Sequence, residues 1–319
     1  MVLPSFAFDG KTAFMTRFLN KKSIHTVMDV VSSFYKYVKI ENPAEVQKQQ
    51  IDLCNSLNLK GRILLGEEGI NGCVAGTKEN VEAYKAEFVK NALFNDVIFK
   101  DTLSEKQAYR KLFVRIREEI VNSGLNVDLR NTAEFVTPEQ LKEMLDANED
   151  LVLVDMRNDY ESSIGKFRNA VQMPIRNFRD LPDAVDVLKE FKDKKIVTYC
   201  TGGIRCEKAS AFLKENGFND VQQLKGGILD YGNKFPDTYW EGKCFVFDDR
   251  LAISFNTKKE DLTKCKWCDS DGNYVNCHNI ACDKLFLCCE ECALLHKASC
   301  SNECEKAPKR RLKAVMVLN

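Results

Sequence analysis

Apolar and polar positions along this chain follow two periods, and the switches between them mark out its elements. Phe34-Tyr35-Lys36-Tyr37-Val38-Lys39-Ile40 alternates and is rich in aromatics, which predicts a strand. Pro43 opens a helix carrying Val46, Ile51, Leu53 and Leu57. Arg62 to Leu65 and Ile70 to Ala75 predict strands on either side of Glu67-Glu68-Gly69, and a second helix carries Val81, Tyr84 and Phe88. Further strands are predicted at Val97-Ile98-Phe99 and at Leu112 to Ile116. The order β-α-β-β-α-β predicts a small ferredoxin-like α+β sandwich, an arrangement that serves many functions. In its last strand Leu112, Val114 and Ile116 alternate with Lys111, Phe113, Arg115 and Arg117, so period two sends the second set outward. A basic face with one ring among its charges suits a phosphate backbone and a stacked base. A solvated strand face with one exposed ring has the same pattern.

Glu118 to Val136 is polar and mixed and reads as a linker. Thr137-Pro138-Glu139-Gln140 then starts a helix, Glu139 to Ala147: Thr137 caps, Pro138 suits the first turn, and Gln140 completes a capping box. The unbroken apolar run Leu151-Val152-Leu153-Val154 predicts a buried parallel strand. Asp155 and Arg157 follow at its C-terminal end, where α/β sheets place their chemistry. A second buried strand, Ile196-Val197-Thr198-Tyr199, leads into Cys200-Thr201-Gly202-Gly203-Ile204-Arg205-Cys206. A helix, Glu207 to Asn216, leads out, with Gly217 as its stop. This α/β unit closes through Val221 to Leu224 and Gly226-Gly227. A cysteine at a strand end, before a glycine loop that opens a helix, faces several backbone N–H groups and the positive end of the helix dipole. Arg205 adds a fixed cation, so the Cys200 thiol pKa is expected to fall. Cys206, at the helix start, reads either as a resolving thiol or as a packing residue.

With 319 residues, 44% of them hydrophobic and 29% charged, the chain has room for two or three domains. The pattern divides it into an N-terminal extension (1–30), the sandwich (31–124), an α/β domain with a parallel sheet and flanking helices (125–245), and a cysteine-rich module with a basic tail (246–319). Zero formal net charge argues against a uniformly basic nucleic-acid binder but allows local basic patches. No apolar run has the length of a membrane span. Met1 to Ile24 lacks the apolar core and cleavage site of a signal peptide, so a cytoplasmic location is the expectation.

Nine of the fourteen cysteines lie between Cys265 and Cys304, which in this setting reads as metal binding before disulfides. The candidate ligands are Cys265, Cys268, Cys277, Cys282, Cys288, Cys289, Cys292, His296, Cys300 and Cys304. They exceed what one tetrahedral ion needs, so two structural zinc ions are expected. One site would pair Cys265 and Cys268 with two of Cys288, Cys289 and Cys292. The other would draw on Cys277, Cys282, His296, Cys300 and Cys304, with His278 a bystander. Disulfides and an iron–sulfur cluster are the alternatives, the second of which would supply electrons. The basic run Pro308-Lys309-Arg310-Arg311-Leu312-Lys313 reads as a solvated tail or a second phosphate contact.

Leu153-Val154-Asp155-Met156-Arg157, Glu161, Gly165 to Ala170, Met173-Pro174, Cys200 to Arg205 and Leu224 to Ile228 together resemble a rhodanese domain, over roughly residues 135 to 240. The resemblance implies that Cys200 is the reactive residue of a six-residue loop and can carry a persulfide in sulfur-transferring members. Related phosphatases use a longer loop. Phe34 to Tyr37, Gly66 to Gly72, Lys111 to Gly124 and Tyr239 to Asp248 extend the match. Nearly the whole chain resembles the tRNA uridine hydroxylases, rhodanese-domain proteins that form 5-hydroxyuridine at the tRNA wobble position. That resemblance implies tRNA as substrate, molecular oxygen as co-substrate and the cysteine at Cys200 as catalytic group. A rhodanese-type sulfurtransferase using a Cys200 persulfide is the alternative. Oxygen chemistry usually needs a metal or flavin. The three histidines are His25, His278 and His296, so the rhodanese stretch has none for an iron site, and no flavin or NAD fingerprint is visible. Two cysteine-based routes stay open: thiolate addition to C6 of uracil, or an oxidised sulfur on Cys200.

Overall fold

A computed structural model of the chain describes residues 28–257 and 261–311. The stretch read as lacking a signal peptide, with His25, lies outside the described residues, as do Leu312 and Lys313 of the basic run.

The N-terminal domain runs β1 (Asp29–Tyr37), α1 (Pro43–Ser56), β2 (Lys60–Gly66), β3 (Gly69–Gly76), α2 (Lys78–Phe88), β4 (Lys100–Ser104) and β5 (Leu112–Ile116). The sheet order is β4-β1-β3-β2-β5, the ferredoxin-like arrangement with one strand added beside β2. α1 and α2 cover one face, where Phe34, Ile63, Leu65, Val74, Tyr84 and Phe88 form the core. The strand predicted at Val97 to Phe99 is displaced: Val97 and Phe99 pack on this core from a loop, and the strand starts at Lys100. Its apolar content reflects core packing, whereas the paired segment is polar because its other face meets the next domain. Ile116, expected on the core face, lies at the exposed end of β5.

The second domain continues with β6 (Glu134–Val136), α3 (Pro138–Asp146), β7 (Leu151–Asp155), α4 (Asp159–Ser162), β8 (Gly165–Phe167), β9 (Val171–Gln172) and α5 (Leu181–Ala184). Then come β10 (Lys195–Tyr199), α6 (Ile204–Glu215), β11 (Asp220–Leu224) and α7 (Gly227–Lys234). Its five-stranded sheet is parallel throughout, in the order β6-β11-β10-β7-β9. The capping box at Thr137 and Gln140 is formed. β6 lies inside the stretch read as a linker; three residues are too few to show a period, and pairing with β11 makes them a strand.

The cysteine-rich end holds β12 (Trp240–Gly242), β13 (Cys244–Phe245), β14 (Ala252–Ile253), β15 (Asn273–Asn276), β16 (Leu285–Cys288), α8 (Glu290–Leu295) and α9 (Asn302–Glu305). β12 pairs with β8, which ties this end to the second domain. Among the described residues, no helix is long and apolar enough to cross a membrane.

The helix-free face of the first sheet turns toward the second domain. The buried Lys208 ammonium on α6 is 2.9 Å from Glu68 and 2.8 Å from Glu119, and the Tyr37 hydroxyl donates to the Ile204 carbonyl at 3.3 Å. Burial pushes the Glu119 carboxyl up, but Lys208, the Ser123 hydroxyl and the Gly124 amide outweigh it and hold the pKa at about 2. A carboxyl depressed in the folded state adds stability that is present above its ordinary pKa of about 4.3 and is lost as pH falls through the folded value. Melting temperature should therefore fall on acidification from about pH 4.5 to about pH 2. Lys208→Ala should cost roughly 1–3 kcal/mol at neutral pH and flatten that part of the acid dependence. Thermal melts of both proteins across this pH range test the assignment.

Candidate active site

β10 delivers Cys200 to the C-terminal edge of the parallel sheet, and the chain turns at once into α6. The turn requires Gly203 in the left-handed region, at φ 102°. From the other side, the first turn of α7 holds the loop: the Ile228 and Leu229 amides donate to the carbonyls of Cys200 and Thr201 at 3.0 and 3.1 Å. Gly227 allows this approach, since a Cβ there would stand 2.4 Å from the Cys200 carbonyl oxygen.

The Gly203 amide donates to Cys200 Sγ at 3.1 Å. Burial opposes charge on this sulfur, but the Cys206 thiol, the Arg205 guanidinium and the Arg205 and Gly203 amides outweigh it. The Cys200 pKa falls well below that of an ordinary thiol. Burial and the neighbouring Cys200 push Cys206 the other way, so Cys206 stays protonated and donates. Arg205 is fixed by two bonds to Glu161, at 2.6 and 2.8 Å, and donates to the Thr201 hydroxyl at 3.3 Å. Gly202 and Ile204 lie in the same turn. Asp155 and Arg157 have a different place. Both are fully buried, with the guanidinium 2.6 and 2.9 Å from the carboxylate and 2.6 Å from the Gly165 carbonyl. They brace the sheet end beneath the loop.

Two groups that the loop motif does not contain complete the site from the first domain. Lys100, at the start of β4, is buried with its ammonium 4.7 Å from the centre of the Tyr35 ring, and a Cβ on Gly202 would lie 3.7 Å from its Cε. Burial lowers the Lys100 pKa to about 8, against the opposing pull of negative charge at Cys200 and Asp230. The Tyr35 hydroxyl donates to Glu207 at 3.2 Å; burial, then Glu207 and Cys200, raise its pKa and keep it protonated. Alternation in β1 already separated Tyr35 from the core-facing Phe34, but no local signal ties either residue to Cys200. Cys200 forms the floor of a cavity of about 420 Å³ between the domains, with Lys100 and Tyr35 on its wall and its own side chain closed to solvent. Lys111, Phe113, Arg115 and Arg117 are all exposed along β5, at the outer edge of the first sheet.

Away from the cavity, the nine clustered cysteines are free and eight form two groups. Cys265, Cys268, Cys289 and Cys292 make one group, and Cys277, Cys282, Cys300 and Cys304 the other. Each group is compact enough to hold one metal ion, its sulfurs all within 4.8 Å of one another. Cys288 and His296 fall outside both, which narrows the ten candidate ligands to eight. Cys288 ends β16, buried beside the first group with its thiol hydrogen-bonded to Cys265, and its neighbour Cys289 caps α8. His296 stacks on Trp267 at 3.7 Å, with Nδ1 2.6 Å from Glu305.

Family models match in three consecutive blocks: a UPF0176 acylphosphatase-like domain at residues 29–120, a rhodanese-like domain at 137–234 and a rhodanese C-terminal domain at 241–305. A tRNA uridine(34) hydroxylase of Enterococcus faecalis is 45% identical over 287 residues, 87% of this chain and 90% of its own. Proteins of the same name from Staphylococcus carnosus and Staphylococcus aureus are 42% identical over the same shares. The chain belongs to the tRNA uridine(34) hydroxylase family. Among solved structures, a rhodanese-like domain protein from Staphylococcus aureus aligns over 31% of this chain and 90% of its own, at 28% identity and a TM-score of 0.27.

The approach of α7 to the loop yields a probe of its geometry, at a cost in stability, because a side chain at Gly227 is strained and its Cβ would meet backbone oxygens. Gly227→Ala, at φ 64°, should push the Cys200 and Thr201 carbonyls away and raise the thiol pKa, while the distant cysteine groups stay intact. The rate of Cys200 alkylation against pH, followed by intact-mass spectrometry, reads the shift; an unchanged profile would show that α7 does not set the loop.

Proposed function

We propose that the protein hydroxylates C5 of the wobble uridine of tRNA, with molecular oxygen as co-substrate and Cys200 as the essential thiolate. The observation that carries this reading is the pairing of a buried, hydrogen-bonded thiolate on one domain with a buried ammonium, Lys100, on the other. A uracil between them meets a nucleophile for C6 and a cation for the oxyanion that forms at C4. The cavity volume is within the range of about 300–1,000 Å³ of small-molecule sites. An anticodon base is unpaired, so it can swing out of its stack into such a cavity, displacing the side chains over Cys200.

Addition of Cys200 Sγ to C6 makes C5 electron-rich. One atom of oxygen then becomes the C5 hydroxyl and the other leaves as water, with two electrons and two protons from an external two-electron donor such as a pair of thiols that becomes a disulfide. Loss of the C5 proton and of the sulfur from C6 restores the aromatic ring. Tyr35, protonated and bonded to Glu207, holds the Lys100 ammonium over its ring and keeps the wall of the cavity in place.

Persulfide transfer from Cys200 is the second reading, favoured by the loop amides, which would stabilise a persulfide anion as well as a thiolate. It gives no role to Lys100 and the covering sheet, which is why we place it second. Cys200→Ser should abolish 5-hydroxyuridine in tRNA, measured by nucleoside mass spectrometry. Unchanged 5-hydroxyuridine in that variant would sink the hydroxylase reading, and turnover of a Cys200 persulfide with an acceptor thiol would favour the second. Lys100→Met should lower kcat/KM by about 10²–10³-fold. Lys100 is the cation only below its pKa of about 8, so kcat/KM should decline above that pH; Lys100→Arg should move the decline beyond about pH 10.

For the cysteine groups we propose one structural zinc ion each. Thiolates about 2.3 Å from a tetrahedral zinc stand about 3.8 Å apart. The Cys268–Cys289, Cys282–Cys300 and Cys300–Cys304 sulfur separations are 3.6, 3.5 and 3.8 Å. Elemental analysis should find two zinc ions per chain, falling to one in Cys265→Ser or Cys282→Ser and staying at two in Cys288→Ser and His296→Ala. Iron in place of zinc, or a loss in the Cys288 variant, would overturn the assignment.

A further inference from the structure

Most of the helix-free face of the first sheet has no part in the reaction drawn above, yet it starts at Cys200. Strand register orders this face into rows, because residues paired across a ladder share a side. One row crosses β4, β1, β3, β2 and β5 as Lys100, Ser33, Cys73, Arg62 and Phe113. The next crosses β1, β3, β2 and β5 as Tyr35, Asn71, Leu64 and Arg115. Lys100 and Tyr35, at the inner ends, are the groups beside Cys200. Arg62 and Leu64, in the middle, line the cavity. Phe113 and Arg115, at the outer ends, are exposed, with the guanidinium 5.3 Å from the ring centre. Four strand spacings of about 4.8 Å make the longer row roughly 19 Å long.

The chemistry changes along this path from a closed reaction site to an open, cationic, aromatic surface. Arg62, to which the loop motif and the basic-strand pattern assign nothing, sits between the two. Among the described residues, neither Arg62 nor Arg115 has a carboxylate partner, so their charge is uncompensated on the side facing the solvent. An ordered row of two guanidiniums without carboxylate partners and an exposed ring, continuous with a pocket for a base, matches the backbone and bases of a single strand.

We propose that these rows form a track for unpaired RNA. A nucleotide flanking the target uridine stacks its base on Phe113, while Arg62 and Arg115 hold the phosphates that lead from it to the base over Cys200. The proposal rests on the hydroxylase reading for the identity of the base in the cavity, but its binding surface is independently testable. A duplex is excluded from the track because the base at the inner end must reach the buried sulfur. Stacking on one ring is tolerant of base identity, so the track fixes the path of the loop and the spacing to the target, and leaves the flanking base free to vary.

The test is binding of a labelled hairpin RNA with a uridine in its loop to the full-length, metal-loaded protein, by fluorescence anisotropy at several salt concentrations. The fully paired duplex of the same stem is the control. Phe113→Ala should weaken hairpin binding by about 5–100-fold and Phe113→Trp should restore it, with duplex binding unmoved. Arg62→Ala with Arg115→Ala should reduce the salt slope by about 1.4, the value for two phosphates of a single strand. All three side chains are exposed, and thermal melts confirm that the variants fold. Equal hairpin affinity and salt slope in wild type and variants would overturn the track, as would equal or tighter binding of the duplex. Hairpin binding that depends on Phe113, in a protein that leaves uridine unmodified, would uphold the track and reject the reaction.

Discussion

The bidentate pair between Arg205 and Glu161 is the constraint on which the rest of the site depends. Both charges are buried, and a buried charge is tolerated only when paired and fully hydrogen-bonded. Glu161 holds the guanidinium in one orientation, and the guanidinium makes a thiolate tenable at the bottom of the loop. The same carboxylate accepts from the Asn158 amide at the start of α4, so the short helix after β7 is locked to the loop after β10. Two strand ends that are far apart in sequence thereby act as one rigid platform. Without this pair, Cys200 would lose the Arg205 cation and would face burial with the Cys206 thiol and the loop amides to stabilise its charge.

Features set by local chemistry were legible in the residues. The capping box at Thr137, the alternation in β1 and β5, and the strand–glycine–helix signature around Cys200 each follow from neighbours within a few positions. The interleaved split of the cysteines was also largely visible, because two-residue spacing lets a pair reach one centre. The features that escaped depend on distant partners. β6 is a strand only because β11 offers an edge. The apolar Val97 and Phe99 resemble a strand but pack from a loop, while the polar segment after them forms one. Lys100 is an unremarkable lysine by sequence; it becomes part of the site only when the two domains meet. His296 shows the converse error: its spacing to Cys300 suits a ligand, but an aromatic face and a carboxylate have already claimed its ring.

Division of the site between two domains has an energetic basis. A free lysine and a free cysteine would each be hydrated and ordinary. Docking removes water from both at once, which draws the ammonium down toward neutrality and leaves the thiolate dependent on fixed dipoles. Negative charge at Cys200 then makes the charged state of Lys100 less costly. Lys100 and Cys200 face one cavity in the assembled protein and in neither half, so a separated rhodanese domain would retain the loop and lose the ammonium opposite it.

The cysteine groups have a consequence for the order in which the chain matures. Their ligand pairs alternate along the sequence: the first and third pairs form one group, the second and fourth the other. A ribosome releasing the chain must expose Cys292 before the first group can close, and by then Cys277 and Cys282 are trapped inside that closed loop, waiting. The second group closes only after Cys304 emerges. Filled with ions, the two centres would form a clasp whose halves become complete in N-to-C order, and a chain truncated between α8 and α9 would lack Cys304 of the second half.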